Sequence, residues 1–244
     1  DITHPSKKVV EIPLLSRALV LKSDESTLVI VTMDVVSIGE IGSIPDDFQE
    51  NVRARIERSL GIPSRNIMFN ASHCHGIPSP KSEDLTVEVI EQAFSRLEPV
   101  TLRSGRAHED RIQENRRMKL KDGSEIDVRH AYSLPANKEI ESTGPIDPEV
   151  GILRVDKPNG KTLAVLFNFA CHPIQGTPVS SGDTSDMTGY AAQVIEDNLD
   201  PGTIALFIQG CGGDINPLAY KDVDHPRHAE VYGNMLGLST LKGI

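Results

Sequence analysis

Three histidines occur in a pattern that could bind a metal ion. His73 and His75 lie in the segment Ser72-His73-Cys74-His75-Gly76, and His172 follows a later apolar run. In an extended chain, side chains two residues apart point to the same face, about 6–7 Å apart. Both imidazoles could therefore approach one metal ion, or one could bind it while the other serves a substrate. Imidazole suits zinc, and catalytic zinc typically has three protein ligands plus water. The alternative is that these are structural histidines with satisfied nitrogens.

A glycine-rich segment, Gly210-Cys211-Gly212-Gly213-Asp214, follows Gln209 at the end of another apolar run. Glycine allows close backbone approach and positive φ, so this loop could direct N–H groups at an oxyanion. The alternative interpretation is a tight turn that leads into Asn216-Pro217.

Arg116 lies in Asn115-Arg116-Arg117, within a polar part of the chain. A guanidinium fork can hold a carboxylate or a developing oxyanion. Most arginines in such segments are simply solvated, so both interpretations stay open.

The chain has three cysteines, at positions 74, 171 and 211, too few for a disulfide framework. Cys74 points away from its histidine neighbours in an extended chain, so we expect it in the core. Nothing next to Cys211 in the sequence would lower its thiol pKa, and we expect a buried, inert thiol there.

The elements that must position these residues alternate between β-branched runs and amphipathic stretches. This pattern predicts an α/β fold, with mixed β-sheets, helices packed on their outer faces and a site at the carboxyl ends of the strands. The predicted strands are 16–21, 27–36, 66–71, 100–104, 151–155, 162–169 and 203–208, with hairpin turns at 22–26 and 156–160. The predicted helices are 45–60, 85–97, 187–199 and 229–241.

Polar clusters follow four of these strands: Asp34, the segment 72–76, the segment 171–173 and the segment 209–214. Because ligands of open α/β sheets bind beyond the carboxyl ends of the strands, we expect the four clusters to converge on one pocket. Residues 105–149 differ from the rest, being polar and without clear periodicity. A span of this kind is usually functional or partly disordered.

Composition excludes several classes of protein. The 244 residues carry a net charge of −10, which argues against a nucleic-acid or anionic-membrane binder. The longest strongly apolar stretch, 162–171, is too short to cross a membrane. The length fits a single domain, residues 1–244, and because the chain begins at Asp1 rather than Met we expect a fragment of a longer protein.

In order along the chain, these clusters resemble the N-terminal catalytic region of the neutral ceramidase family (neutral/alkaline, non-lysosomal). The resemblance spans about residues 15 to 240. Its motifs are Ala71-Ser72-His73-Cys74-His75-Gly76-Ile77-Pro78, Asn168-Phe169-Ala170-Cys171-His172-Pro173, and Phe207-Ile208-Gln209 through Gly213-Asp214-Ile215-Asn216-Pro217, with Ser181-Gly182-Asp183, Gly189-Tyr190 and Asn115-Arg116 also fitting.

The resemblance implies a zinc hydrolase that cleaves an N-acyl (amide) bond with metal-activated water. His73 and His172 would bind zinc. His75 would support the site or face the substrate, and Arg116 would hold the substrate or the developing charge. The third motif implies a catalytic Asp214 and substrate contacts at Gln209, Gly210 and Gly213. A lipid or other small-molecule amide is the implied substrate, and an extracytoplasmic setting is favoured.

Two departures from the family pattern qualify this expectation. Gly210 stands where the ceramidases have a serine, so the substrate need not be ceramide. The remaining zinc ligands of the family, a Glu and a Tyr, lie further along the chain than residue 244. Asp34, Asp183 and Asp214 are candidate local substitutes. The alternatives are a non-catalytic metal- or ligand-binding domain of the same fold and, less favoured, a cysteine hydrolase that uses Cys211.

Overall fold

A computed structural model describes residues 1–5, 12–128, 135–174, 184–217 and 228–244. The helices are α1 (Phe48–Leu60), α2 (Ser82–Ser95), α3 (Asp186–Asp197) and α4 (Ala229–Lys242). The strands are β1 (Ser16–Lys22), β2 (Thr27–Met33), β3 (Ile67–Ala71), β4 (Thr101–His108), β5 (Gln113–Asn115), β6 (Arg117–Leu120), β7 (Glu125–Asp127), β8 (Ile140–Thr143), β9 (Glu149–Asp156), β10 (Thr162–Phe169), β11 (Ile204–Gln209) and β12 (Ile215–Pro217).

The first sheet has the order β1-β2-β3. β1 and β2 form the predicted antiparallel hairpin, and β3 joins β2 in parallel after α1 crosses over. α1 and α2 bury their apolar positions against this sheet, so Val31, Phe48 and Ile90 share one core. α1 ends at Gly61, whose φ of 67° gives the left-handed turn that releases the chain toward β3.

The second sheet has the order β11-β10-β9-β4. β9 and β10 form an antiparallel hairpin whose turn uses Gly160 at φ 83°, and β11 lies parallel to β10. α3 and α4 cover the sheet, where Phe167, Ala191 and Tyr232 are completely or almost completely buried in a second core. The predicted α/β fold with mixed sheets and packed helices is confirmed, with element ends shifted by a few residues.

The polar segment 105–149 contains more regular structure than its sequence indicated. It includes the second half of β4 and all of β5 to β8, and β7-β6-β8 form a small antiparallel sheet. Among the described residues of this segment, only a few apolar side chains are buried, including Met118 and Val128. Because these strands have three or four residues each, they are too short to produce a readable alternation.

The two cysteine predictions differ in outcome. Cys74 is fully buried, as expected, whereas Cys211 is exposed, so the prediction of a buried thiol there was wrong. The loop after β11 turns Gly212 inward instead. A Cβ on Gly212 would lie 2.7 Å from Gln209 Nε2 and 3.0 Å from the Cys171 carbonyl carbon, so a side chain here would displace the Gln209 side chain and press on the backbone of Cys171. Cys211, the preceding residue, faces outward.

Hydrogen bonds from side chains join the two larger sheets. Thr32 Oγ1 and Asn70 Nδ2 both donate to the carbonyl oxygen of Phe207, at 2.7 and 2.9 Å. Asn70 Oδ1 accepts from the N–H of Gln209 at 3.0 Å. The carboxyl ends of β3, β10 and β11 therefore lie side by side. Among the described residues, no helix is long and apolar enough to cross a membrane.

Candidate metal centre

His73 lies just beyond β3, where the chain leaves the sheet. Its backbone N–H donates to Val35 O at 3.0 Å, and its φ of 65° is unusual for a residue other than glycine. The ring is fixed by a 2.7 Å hydrogen bond between Nδ1 and the carbonyl oxygen of Val36. The predicted extended geometry at 73–75 is therefore replaced by a sharp local turn, and such strained backbone is common at functional sites.

His172 lies three residues beyond the end of β10 and is fixed in the same way. Its N–H donates to Ile215 O at 2.8 Å, and its Nδ1 lies 3.0 Å from the carbonyl oxygen of Gly212. The glycine-rich loop thus orients this ring.

The two rings meet through their Nε2 atoms, which are 2.9 Å apart. A carbonyl oxygen can only accept a hydrogen bond, so both Nδ1 atoms carry the proton and, in the neutral rings, both Nε2 atoms carry lone pairs. Two lone pairs at this distance repel each other unless a proton or a metal cation lies between them. Orientation of imidazole by a carbonyl at Nδ1 is the usual arrangement around metal-bound histidine.

His75 completes a group of three. His73, His75 and His172 each offer one ligand nitrogen, and these atoms all lie within 4.8 Å of one another. In tetrahedral zinc with Zn–N bonds of about 2.05 Å, ligand nitrogens are about 3.3 Å apart. The His73–His172 pair is close to that separation, and the exposed His75 lies beside the pair, where it can face a substrate. The residues present therefore fit zinc.

The electrostatics favour the neutral imidazole at His172 and His75. Burial lowers the pKa of His172 to about 4; the Gly212 hydrogen bond opposes this shift, and electrostatic repulsion of a protonated ring by His73, His75 and Arg116 reinforces it. The pKa of His75 is also lowered, mainly by burial and to a smaller extent by the neighbouring His73. Neutral imidazole is the form that binds a metal ion.

Arg116 lies close enough to this group for its charge to act on His172. The backbone N–H of Arg116 donates to the backbone carbonyl oxygen of Asp214 at 2.8 Å. In its side chain, Nε lies 2.9 Å from a carboxylate oxygen of Asp127. The side chain is 17% exposed, so it is not one of the freely solvated arginines of the polar segment. Asp127 had no signal in the sequence, because nothing local distinguishes it from its acidic neighbours.

The predicted substrate-binding residues occupy three different settings. Gln209 Nε2 donates to the carbonyl oxygens of Cys171 and Gly210, both at 3.1 Å, which ties the loop to the residue before His172. The N–H of Gly210 donates to Phe169 O and is engaged within the fold. Gly213 is exposed, with open space around its Cα. Of the two glycines, only Gly213 therefore has room to approach a substrate.

The candidate aspartates do not join the histidines among the described residues. The Asp214 carboxylate lies 3.2 Å from Arg117 Nε and 3.4 Å from Asn115 Nδ2. Asp34 is buried, accepts from the N–H of Leu15 at 3.0 Å and lies 3.5 Å from Arg17 Nη1. Asp183 lies outside the described residues.

The chain was compared with known proteins by sequence and by structure. No protein-family profile matches it, and no curated protein matches it by sequence. By structure, the chain matches neutral ceramidase from Pseudomonas aeruginosa with a TM-score of 0.73 and 20% identity, over 100% of this chain and 43% of the other. The chain has a ceramidase-like fold. A ceramidase complexed with C2 gives the same TM-score, with 19% identity and 100% and 42% coverage. The chain thus spans about two fifths of these ceramidases.

Besides Asp127, two residues that hold the site of this ceramidase-like fold were not identified from the sequence as parts of it. Val36 contributes only its carbonyl oxygen, which any residue type supplies, so no sequence signal marks it. Gly212 lies in the predicted glycine-rich loop, but it contributes a carbonyl oxygen to His172 rather than an N–H group to an oxyanion. Asn70 does carry a signal, since an amide near the end of an otherwise apolar strand requires hydrogen-bond partners.

Proposed function

We propose that this chain is the metal-binding part of a zinc-dependent hydrolase that cleaves an N-acyl amide bond. The observation that carries the proposal is the pair of Nε2 atoms of His73 and His172, 2.9 Å apart and each oriented by a backbone carbonyl at Nδ1. Zinc bound there would lower the pKa of a water molecule toward 7 and polarise the amide carbonyl. The ceramidase-like fold supports an amide, and among amides a lipid, as the substrate class.

The chain's own residues supply the remaining roles in the proposal. Arg116, held by Asp127, can bind the negative charge that develops on the carbonyl oxygen. The exposed His75 is neutral at pH 7, so one of its ring nitrogens can accept a proton and later return it to the leaving amine. Gln209 keeps the 210–214 loop against Cys171, which preserves the Gly212 contact with His172.

Metal content is the first test. We expect about one zinc per chain in the wild-type protein and its loss in both His73→Ala and His172→Ala, since each removes one of the paired nitrogens. His108→Ala is the matched control, because His108 is exposed on β4 and pairs with Asp110. Elemental analysis of the purified proteins decides the question. Zinc that stays bound in both site variants, or no zinc in the wild type, contradicts the proposal.

A non-catalytic metal-binding domain is the second candidate. It is favoured by Gly210, whose N–H is engaged with Phe169 O and which offers no hydroxyl where the ceramidases have one. Release of free fatty acid from a short-chain N-acylsphingosine, or from a simpler N-acyl amine, separates the two candidates. Turnover that is lost in His73→Ala supports the hydrolase. Stoichiometric zinc without turnover of any such amide supports the second candidate.

A further inference from the structure

The two histidines that face each other belong to two different sheets. His73 follows β3, at the edge of the sheet β1-β2-β3, and His172 follows β10 in the sheet β11-β10-β9-β4. Among the described residues, no backbone ladder pairs β3 with β11, so ordinary strand pairing does not fix the distance between the two rings. Another contact must fix this distance, because the ligands of a metal site must be placed to within about 0.5 Å.

Asn70 makes the connection with its side chain. Its Nδ2 donates to Phe207 O at 2.9 Å, and its Oδ1 accepts from the N–H of Gln209 at 3.0 Å. In a parallel ladder, one residue donates to a carbonyl and accepts from an N–H two residues further along the neighbouring strand. The carboxamide of Asn70 makes the same two hydrogen bonds to β11. It therefore takes the place of the backbone of one residue in a parallel strand pair. Its second N–H donates to Thr32 Oγ1 at 2.9 Å.

The two residues joined by this side chain, Asn70 and Gln209, are both placed near the histidines. Asn70 is three residues before His73 on the same chain segment. On the other side, Gln209 is the register partner of Phe169, which is three residues before His172. The Gln209 side chain then holds the loop that carries Gly212, the orienting partner of His172.

We propose that Asn70 is a positioning residue that sets the separation of the His73 and His172 Nε2 atoms and thereby the geometry of the metal site. This inference rests on the proposed function. Asn70 does not belong to the three-histidine group, and it acts through the strands that carry two of those ligands. Asparagine is required because a carboxylate would lose both N–H donors and face the Phe207 carbonyl with like charge.

The test is Asn70→Asp, with Asn66→Asp as the matched control. Asn66 Nδ2 also donates to a backbone carbonyl, that of Thr27 at 2.9 Å, but within the first sheet and at the opposite end of β3. Both variants are titrated with Co²⁺, and the visible absorption bands and dissociation constant are recorded, together with urea unfolding of the metal-free proteins. We expect Asn70→Asp to weaken Co²⁺ binding by about tenfold or more and to alter the bands, as loss of a ligand-orienting group does. Asn66→Asp is expected to keep the wild-type spectrum.

A metal-free readout separates this inference from the proposed function. In the metal-free protein, proton NMR should detect a nuclear Overhauser contact between the rings of His73 and His172, and Asn70→Asp should abolish it while the protein stays folded. Wild-type affinity, bands and ring contact in Asn70→Asp overturn the role of Asn70 but leave the zinc proposal standing. An Asn70→Asp effect no larger than that of Asn66→Asp also overturns it. A wild-type protein that binds no metal yet shows the ring contact, lost in Asn70→Asp, overturns the zinc proposal and keeps the positioning role.

Discussion

At the scale of single residues, packing explains why this chain has glycine at position 210, where the ceramidases have a serine. A Cβ on Gly210 would lie 3.0 Å from the Cα and N of Ala170 and from the carbonyl carbon of Phe169. Backbone atoms of a central strand cannot move aside as the end of a side chain can. The close contact brings β11 and β10 together just before His172, so glycine here serves the geometry of the site and excludes a hydroxyl.

We therefore expect that introducing the serine of the ceramidases at this position destabilises the protein. We expect Gly210→Ser to reduce the free energy of unfolding by about 1–3 kcal/mol, the usual cost of overpacking. Gly213→Ser, where open space surrounds the Cα, should change it by less than about 0.5 kcal/mol. Urea denaturation of the two variants and the wild type measures both values. Equal stability of the two variants would show that the loop has room for a side chain at 210.

At the scale of elements, a buried carboxylate connects α4 to the polar segment. Glu109 follows β4 and is 1% exposed. It accepts hydrogen bonds from Ser239 Oγ of α4 at 2.7 Å and from Arg111 Nε at 2.9 Å. Burial by itself would raise the pKa of Glu109, but the hydrogen bonds from Arg111 and Ser239 outweigh it, and the net pKa is lowered.

This lowered pKa gives the protein an acid-sensitive contact. Because the folded pKa lies below the unfolded value of about 4.5, the stabilisation is fully present above pH 4.5 and is lost as the pH falls through the folded pKa. We expect Glu109→Gln to be less stable than the wild type at pH 7, with a difference that shrinks as the pH is lowered below 4.5. Urea unfolding at a series of pH values between 7 and 3 measures it.

Glu149→Gln is the control for this pH series. Glu149 pairs with Arg106 at 3.4 Å, and both side chains are mostly exposed. An exposed pair contributes little, so its difference from the wild type should be small at every pH. A Glu109→Gln difference that stayed constant down to pH 3 would mean that ionisation of Glu109 is not what holds α4.

At the scale of the whole molecule, the cysteines report on the two cores separately. Cys74 lies in the core of the first sheet and Cys171 in the core of the second. Burial raises the pKa of both thiols, so neither supplies reactive thiolate in the folded state. Cys211 is exposed and belongs to neither core.

A thiol reagent in excess should therefore modify one cysteine per native chain and three per unfolded chain. We expect Cys211→Ser to remove the native reaction. In that variant, Cys74 and Cys171 should become reactive at the same urea concentration, because the Asn70 and Thr32 hydrogen bonds join the two sheets into one unfolding unit. Mass spectrometry of the modified peptides assigns each site. Separate transitions for the two cysteines would show that the sheets unfold independently.

Local pattern alone predicted the four helices and the seven longer strands of this protein, β1 to β4 and β9 to β11. The apolar runs, the turn at Gly160 and the helix end at Gly61 depend on residues near one another in the sequence, so their positions could be predicted within a few residues. The histidines could be identified because metal binding requires particular side-chain types, and these three residues lie shortly after two of the predicted strands. The resemblance to the ceramidases also held at the level of the fold.

Only the tertiary structure decided how those residues meet. The contact of His73 with His172 joins positions 99 residues apart, and it depends on the Asn70 side chain and on a carbonyl of Gly212. The exposure of Cys211 and the strands of the segment 105–149 were likewise missed. In each case the outcome follows from which distant backbone lies next to the residue, and neither periodicity nor residue type carries that information.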